Sequence, residues 1–281
     1  MKNLESSLGF GGAALTSMKS YTDVKDLLNL AFELGIRHFD TAPLYGKGYS
    51  ELIYGNFLKD KRKDITITTK FGLGDLDKIT IPVQLLLPLN YHVKKIKNAF
   101  RKTALSENSH TPLAYRQIDK KDIEASFQNS LSRLQTDYID YYLLHEGLPH
   151  FLTDEAHAYL LTLKKQGRIR FMGIGSNVLD IKTLNITDLT DWEVLQYEGG
   201  INQNTLDIKR QFPNKTHFQH SCIKDFDPLS IKKEKDTIGG RLAQCVLNNS
   251  GGKIIFSTRN KQYLSQNIAE FLKNLETNAL Y

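Results

Sequence analysis

The stretch ELGIRHFD, residues 33–40, ends a helix-period segment at a glycine, passes through an isoleucine and basic residues, and enters a short β-rich run. KQGRIRFMG, residues 165–173, repeats the device. Glycine suits the left-handed residue that closes a helix, and a short connection of this kind leads the chain from helix into strand. Working outward from these two junctions, β-rich runs at 7–11, 38–40, 65–70, 139–145, 169–176, 194–197, 217–223 and 253–258 alternate with helix-period segments. That alternation predicts repeated βα units and a parallel sheet. Eight such units fit a (β/α)8 TIM barrel, an α/β fold that routinely occupies about 250 residues as one domain. The 281 residues are accordingly read as a single domain, 1–281. Thr22 is expected to cap a helix running to Leu34, with Gly35 closing it.

One stretch breaks the rhythm. The connection after the third strand, residues 73–118, far exceeds the roughly 2–6 residues of an ordinary βα loop. On a barrel it emerges at the C-terminal face, where barrel active sites lie, and it is expected to act as a substrate lid. Its apolar part, IPVQLLLPL at 81–89, suits packing on the rim. The following VKKIKNAFRK at 93–102 carries Lys94, Lys95, Lys97, Arg101 and Lys102 with no acid. Those cations read either as a solvated helix face or as an attraction for an anionic substrate.

Composition narrows the function classes. The chain is 40% hydrophobic and 24% charged, with no low-complexity tract, so it has the means to bury a core. Its 37 basic and 31 acidic residues give a net charge of +6, but they are scattered and carry no nucleic-acid-binding motif. Two cysteines, Cys222 and Cys245, make no disulfide framework, and MKNLESSLGFGG lacks the apolar core of a signal peptide. No apolar run reaches the roughly 18 residues that span a bilayer. A cytoplasmic protein acting on small molecules, without membrane or nucleic-acid partners, is expected; oligomeric state is not encoded in these features.

The chemistry is concentrated at strand ends. In FDTAPLYGKGYSE, residues 39–51, Asp40 ends a strand and Tyr45 lies five residues on. ITITTK ends its strand with Lys70, and YIDYYLLH ends the next with His145. Alone, the Asp and Tyr read equally as a helix cap and a surface aromatic. Together, three strand ends deliver Asp, Lys and His to one rim beside a tyrosine. Reducing a carbonyl by hydride transfer develops alkoxide charge, so a site needs a proton donor and fixed hydrogen-bond donors. A tyrosine with ordinary pKa about 10 is a reluctant acid. A lysine ammonium beside it is expected to lower that pKa, with a carboxylate orienting the lysine. Two residues before Asp40, His38 is expected to be interior packing. Neither Asp40 nor His145 has close-spaced ligand partners, so no metal site is expected.

In this pattern the chain resembles the aldo-keto reductase superfamily. The likeness spans most of the chain, through LGFGGAALT at 8–16, GIGSN at 173–177, LQYE at 195–198 and STRN at 257–260. It implies that Asp40, Tyr45, Lys70 and His145 are catalytic, with Tyr45 as general acid. It also implies cofactor contacts from Ser176, Asn177 and Gln196 to a nicotinamide carboxamide, from Ser257, Thr258 and Arg259 to phosphate at a helix N-terminus, and from Asn267 to adenine. Gly11 suits close approach of the first strand to the cofactor. The chain departs from the family's pattern at strand seven, where HFQHSCI offers His220, or less directly Phe218, for stacking. It departs again where Tyr263 stands in place of an arginine for the 2′-phosphate, leaving Arg259 for that role. The expected cofactor is NADPH, with NADH as the alternative. The expected reaction is reduction of an aldehyde or ketone of a small polar molecule such as a sugar, or the reverse oxidation. A nicotinamide-cofactor-binding regulatory or scaffold barrel without turnover is the alternative function.

Overall fold

The computed structural model describes residues 7–73, 81–100, 117–224 and 237–278, with the side chains of 94–100 and 278 excepted. Eight strands run in chain order: β1 (Leu8–Gly11), β2 (His38–Asp40), β3 (Thr66–Phe71), β4 (Ile139–His145), β5 (Ile169–Gly175), β6 (Val194–Glu198), β7 (Thr216–His220) and β8 (Lys253–Phe256). Each pairs in parallel with its successor, and β8 pairs with β1 to close the barrel. The intervening helices are α1 (Tyr21–Glu33), α2 (Tyr49–Leu58), α3 (Val83–Phe100), α4 (Lys120–Leu134), α5 (Asp154–Lys165), α6 (Val178–Thr183), α7 (Gln203–Gln211), α8 (Ile238–Leu247) and α9 (Lys261–Asn278). The expected (β/α)8 architecture is the one observed. The largest strand-end difference is at β7, which stops at His220 instead of continuing to 223.

Two apolar layers hold the barrel. Inside it, Leu143, Val194, Phe218 and Ile255 are buried together against Tyr141. His38 joins them, its ring 5.1 Å from that of Phe218 and 5.5 Å from that of Tyr141. Its Nδ1 lies 2.9 Å from Thr66 Oγ1, and burial, followed by the charges of Lys253 and Lys70, pushes its pKa well below the ordinary range. His38 is therefore a neutral packing residue, as its strand position suggested. Between strands and helices, Phe10, Phe39 and Tyr54 are buried on one side of the barrel, and Phe127, Tyr142 and Tyr197 on the other. Each large side chain so buried contributes about 1.5–3 kcal/mol.

The junction glycines behave as their sequence context requires. Gly35 and Gly167 take φ of +94° and +71°, values an L side chain rarely adopts, and each follows a helix end. The start of α1 differs from expectation: Ser20, not Thr22, is the cap, its Oγ accepting from the Asp23 N–H at 3.1 Å. Ser20 also donates to the Asp23 carboxylate at 2.7 Å, so the two residues are bonded in both directions.

The connection after β3 is not simply a loop. Its described part forms α3, which packs against the 3-10 turn Leu15–Ser17 and against α1. Val83 and Leu87 enter the outer core, and Tyr49 Oη donates to the Ile81 carbonyl at 2.8 Å. Burial of that face offsets the lost helix hydrogen bond at Pro88, inside α3, which costs about 3 kcal/mol. The side chains of Lys94, Lys95, Lys97, Arg101 and Lys102 lie outside the described residues, and so does any closure over the mouth.

Candidate active site

Strand register sets out the rim. Asp40 ends β2 opposite Gly11 on β1, His145 ends β4 opposite Gly175 on β5, and Gly175 in turn faces Gln196 on β6. Lys70 lies two residues beyond Thr68, the partner of Asp40 on β3, so both side chains enter the barrel mouth from adjacent strands. Tyr45 comes from the loop after β2. That loop coils tightly because Gly46, Lys47 and Gly48 all take positive φ, +60°, +55° and +85°. A Cβ on Gly46 would meet Thr16 at 2.3 Å, so the coil and the turn after β1 are fitted to each other.

These side chains meet around one ammonium. Lys70 Nζ donates to Asp40 Oδ1 at 2.9 Å, to Asp40 Oδ2 at 3.0 Å and to the Thr41 carbonyl at 2.9 Å, and reaches Tyr45 Oη at 3.4 Å. Lys70 and Asp40 are 2% and 3% exposed, so the pair is held in low dielectric. Burial opposes the charge on Lys70, yet Asp40 and Tyr45 raise its pKa above the ordinary value, and it stays an ammonium. The ring of His145 lies 6.0 Å from that of Tyr45, edge to face. Burial first, then the charges of Lys70 and His220, lower the His145 pKa to about 3. His145 is therefore neutral at physiological pH, able to donate from one ring nitrogen.

Tyr45 itself corrects a simple expectation. The charge of Lys70 is the largest influence on it and lowers its pKa, but burial, Asp40 and Glu146 together outweigh it. The phenol stands above its ordinary value, because burial disfavours the phenolate and Asp40 holds and partly neutralises the same ammonium. A protonated Tyr45 throughout the neutral range is the consequence.

A cavity of about 230 Å³ opens beside this cluster, lined by Asp40, Tyr45, Gly11, Gln196, His220 and Ser257 among others. Gln196 Nε2 donates to Asp40 Oδ2 at 2.8 Å. Its Oε1 is buried without a hydrogen-bond partner among the described residues. A buried carbonyl left open costs about 1–3 kcal/mol unless a ligand supplies the donor. His220 lines the cavity, whereas Phe218 is fully buried in the barrel interior.

The other residues expected around a cofactor are not among those that line this cavity. Ser176 Oγ donates to Asp180 at 3.1 Å, and Asn177 caps α6, its Oδ1 accepting from the Asp180 N–H and its amide donating to the Asp180 carboxylate at 2.7 Å. Thr258 Oγ1 accepts from the Asn260 N–H. Arg259 is exposed, donates to Ser17 Oγ at 3.3 Å, and lines a second cavity of about 520 Å³ with Lys19, Tyr91 and Lys261. Asn267 is buried on α9 where α8 packs against it. Among the described residues no group of three or more His, Cys, Asp or Glu is placed to hold a metal ion.

A supporting layer escaped the sequence reading. Thr41 Oγ1 donates to Ser50 Oγ, which donates to the Gly12 carbonyl, while the Gly12 N–H donates to the Asp40 carbonyl at 2.8 Å. Glu51, fully buried, accepts from Thr69 Oγ1 at 2.6 Å and from Arg133 Nε at 2.6 Å. These bonds tie α2 to β1, β3 and α4, and so fix the loop that presents Tyr45. The motif spelled out Ser50 and Glu51, but their partners lie at sequence separations that no spacing rule reaches.

Comparison with known proteins bears on the fold and the family. The chain is 32% identical over 189 residues to an uncharacterized oxidoreductase of Bacillus subtilis, covering 66% of this chain and 51% of that protein. It is 29% identical over 206 residues to a D-threo-aldose 1-dehydrogenase of a Pseudomonas species, covering 69% and 56%. The chain thus spans about half the length of the curated relatives it matches. An aldo-keto reductase of Klebsiella pneumoniae, solved in complex with NADPH, superposes with a TM-score of 0.61 at 17% identity, over 94% of this chain and 84% of that one. The family model described as the aldo/keto reductase family matches residues 7–198, from β1 through the end of β6. The chain belongs to the aldo/keto reductase family.

Proposed function

We propose that this chain is an NADPH-dependent oxidoreductase that reduces an aldehyde or ketone of a small polar molecule to the alcohol, with Tyr45 as general acid. The observation that carries the reading is the buried ammonium of Lys70, bridging Asp40 at 2.9 Å and Tyr45 Oη at 3.4 Å beside a cavity. A general acid must sit within reach of the oxygen it protonates, and Tyr45 lines that cavity.

The residues present fit a nicotinamide cofactor. The unpartnered Oε1 of Gln196 suits the N–H of a carboxamide. Gly11 keeps the cavity wall low, and a Cβ there would stand 3.4 Å from Ile255. Arg259 is the residue for a 2′-phosphate, and it favours NADPH over NADH. When bound, the nicotinamide supplies hydride to the carbonyl carbon.

The chain's own groups do the rest. Tyr45 gives its proton to the carbonyl oxygen as negative charge develops there. Lys70 stabilises the phenolate left behind, and Asp40 keeps Lys70 charged and aimed. Neutral His145 donates a hydrogen bond to the same oxygen, orienting it. A sugar-like substrate is favoured by the activity named for the Pseudomonas relative, a D-threo-aldose dehydrogenase. The test is an NADPH-consumption screen against aldoses and simple aldehydes. Turnover with at least one aldehyde, absent with NADPH alone, is expected; tight NADPH binding without turnover on any of them would favour a regulatory barrel.

A further inference from the structure

Gln196 faces two ways. Its side chain is buried on β6, with Nε2 donating to Asp40 Oδ2 at 2.8 Å and Oε1 left without a partner among the described residues. The direction of the amide follows from chemistry. Asp40, paired with the Lys70 ammonium, is a carboxylate that offers only acceptors, so the NH2 end of Gln196 must face it and the carbonyl end must face away. Room for that carbonyl comes from β5. Gly175 is the register partner of Gln196, and a Cβ on it would stand 3.3 Å from Gln196 Oε1 and 3.7 Å from Lys70 Cε. Any side chain in place of Gly175 would crowd the atom that is left open.

Asp40 Oδ2 is the shared atom. It accepts from Gln196 Nε2 at 2.8 Å and from Lys70 Nζ at 3.0 Å, and the same Nζ reaches Tyr45 Oη at 3.4 Å. An unbroken line of polar contacts therefore runs from the open carbonyl of Gln196 to the phenol of Tyr45. Hydrogen bonds in series polarise one another where the dielectric is low. A donor placed on Oε1 makes Nε2 a stronger donor to Asp40. The more Asp40 is held by Gln196, the less it neutralises Lys70, and the more of the ammonium's field falls on Tyr45.

We propose that Gln196 is a positioning residue that couples occupancy of the cofactor cavity to the proton donor, through Asp40 and Lys70. In the empty cavity Asp40 holds Lys70 more closely and Tyr45 is the weaker acid. With a carboxamide N–H on Oε1, Asp40 is drawn toward Gln196 and Tyr45 becomes the better acid, so the donor is readied when the cofactor is seated. The coupling is reciprocal. The charge of Asp40 aims and polarises Oε1, and so strengthens its hold on the carboxamide. The coupling rests on the cofactor reading above, which supplies that N–H.

A double-mutant cycle on binding tests the coupling without turnover. NADPH affinity is measured by fluorescence titration for the wild type, Asp40→Asn, Gln196→Met and the double variant. Asp40→Asn should weaken NADPH at least about three-fold in the wild-type background and less than about two-fold beside Gln196→Met. The reduced acetylpyridine analogue of NADPH is the probe for the N–H, because its acetyl group accepts hydrogen bonds and has none to give to Oε1. Asp40→Asn should leave affinity for this analogue within about two-fold of wild type. Gly175→Ala, which keeps the buried ion pair, should weaken NADPH more than the analogue. Additive losses in the cycle, or equal losses for NADPH and the analogue in both Asp40→Asn and Gly175→Ala, would overturn the coupling. The pH dependence of kcat separates positioning from folding. In Gln196→Met, kcat should fall several-fold at neutral pH, and its alkaline limb, where Tyr45 loses its proton, should move up by about one unit. A lower kcat with an unmoved limb would make Gln196 structural only. A wild type that binds NADPH but shows additive losses loses the coupling and keeps the cofactor reading; a wild type that does not bind NADPH refutes both.

Discussion

Replacing Lys70 by methionine removes one charge and four contacts at the centre of the site. Lys70 Nζ is bonded to both oxygens of Asp40, to the Thr41 carbonyl and to Tyr45 Oη. The methionine fills a similar volume, so the loss is electrostatic rather than a cavity. Asp40, 3% exposed, would keep the amide of Gln196 as its described partner but no cation. Leaving one member of a buried ion pair uncompensated costs about 3–5 kcal/mol. For a domain of this size that corresponds to a fall in Tm on the order of 10 °C. Turnover should suffer separately, because Tyr45 loses the largest influence lowering its pKa and the phenolate loses its counter-charge. The two effects are separable with a second substitution. Asp40→Asn in the Lys70→Met background removes the stranded carboxylate, so most of the lost Tm should return while kcat/KM stays low. Thermal melts and aldehyde reduction on the wild type, both single variants and the double variant give the cycle. A Lys70→Met protein melting within about 2 °C of wild type and keeping its kcat/KM would refute the reasoning from the buried pair. Recovery of turnover in the double variant would show that Lys70 serves folding alone.

Further predictions follow from single groups. Tyr45→Phe should keep its fold and its NADPH affinity and lose about 10²–10⁴-fold in kcat, the usual contribution of a general acid; unchanged kcat would remove Tyr45 from that role. His145 and His217, with pKa values lowered to about 3 and about 4, bind protons more weakly folded than unfolded, so their stability is present above pH 6.5 and lost as pH falls toward 3. Urea midpoints should therefore drop between pH 7 and pH 4, and less so in a His145→Asn variant; a midpoint that rises on acidification would contradict the burial of neutral imidazoles. Arg259→Ala should weaken NADPH by about 1.5–3 kcal/mol more than NADH, measured by fluorescence titration of both. Equal losses would place Arg259 on the pyrophosphate shared by the two cofactors.

Much of the fold could be read because its signals are local. A glycine at a helix end, an isoleucine and a β-rich run mark each junction without tertiary information, and β2 and β4 fall where ELGIRHFD and YIDYYLLH place them. Asp40, Lys70 and His145 were legible for the same reason: each is the polar residue at a strand end, and a parallel barrel brings such ends to one rim. Residues 81–89 were harder, because Pro82 and Pro88 argue against a helix on propensity, while Val83 and Leu87 support one through packing that only the folded chain reveals. The sign of the Tyr45 shift was illegible, since it is a balance among Lys70, burial, Asp40 and Glu146 that depends on distances across three elements. Asn177 caps α6 through its Oδ1, a role its sequence neighbours fit as well as they fit a cofactor contact.

The most direct test of the central claim is a single turnover. NADPH is bound in stoichiometric amount to the wild type and to Tyr45→Phe, an aldehyde from the responsive set is added, and the loss of cofactor fluorescence is followed in time. The account predicts that both proteins bind NADPH with like affinity, that the wild type oxidises it to completion, and that the variant does so at least about 100-fold more slowly. Equal rates in the two proteins, or bound NADPH that neither protein oxidises with any aldehyde, would contradict the assignment of Tyr45, Lys70 and Asp40 as a carbonyl-reducing site.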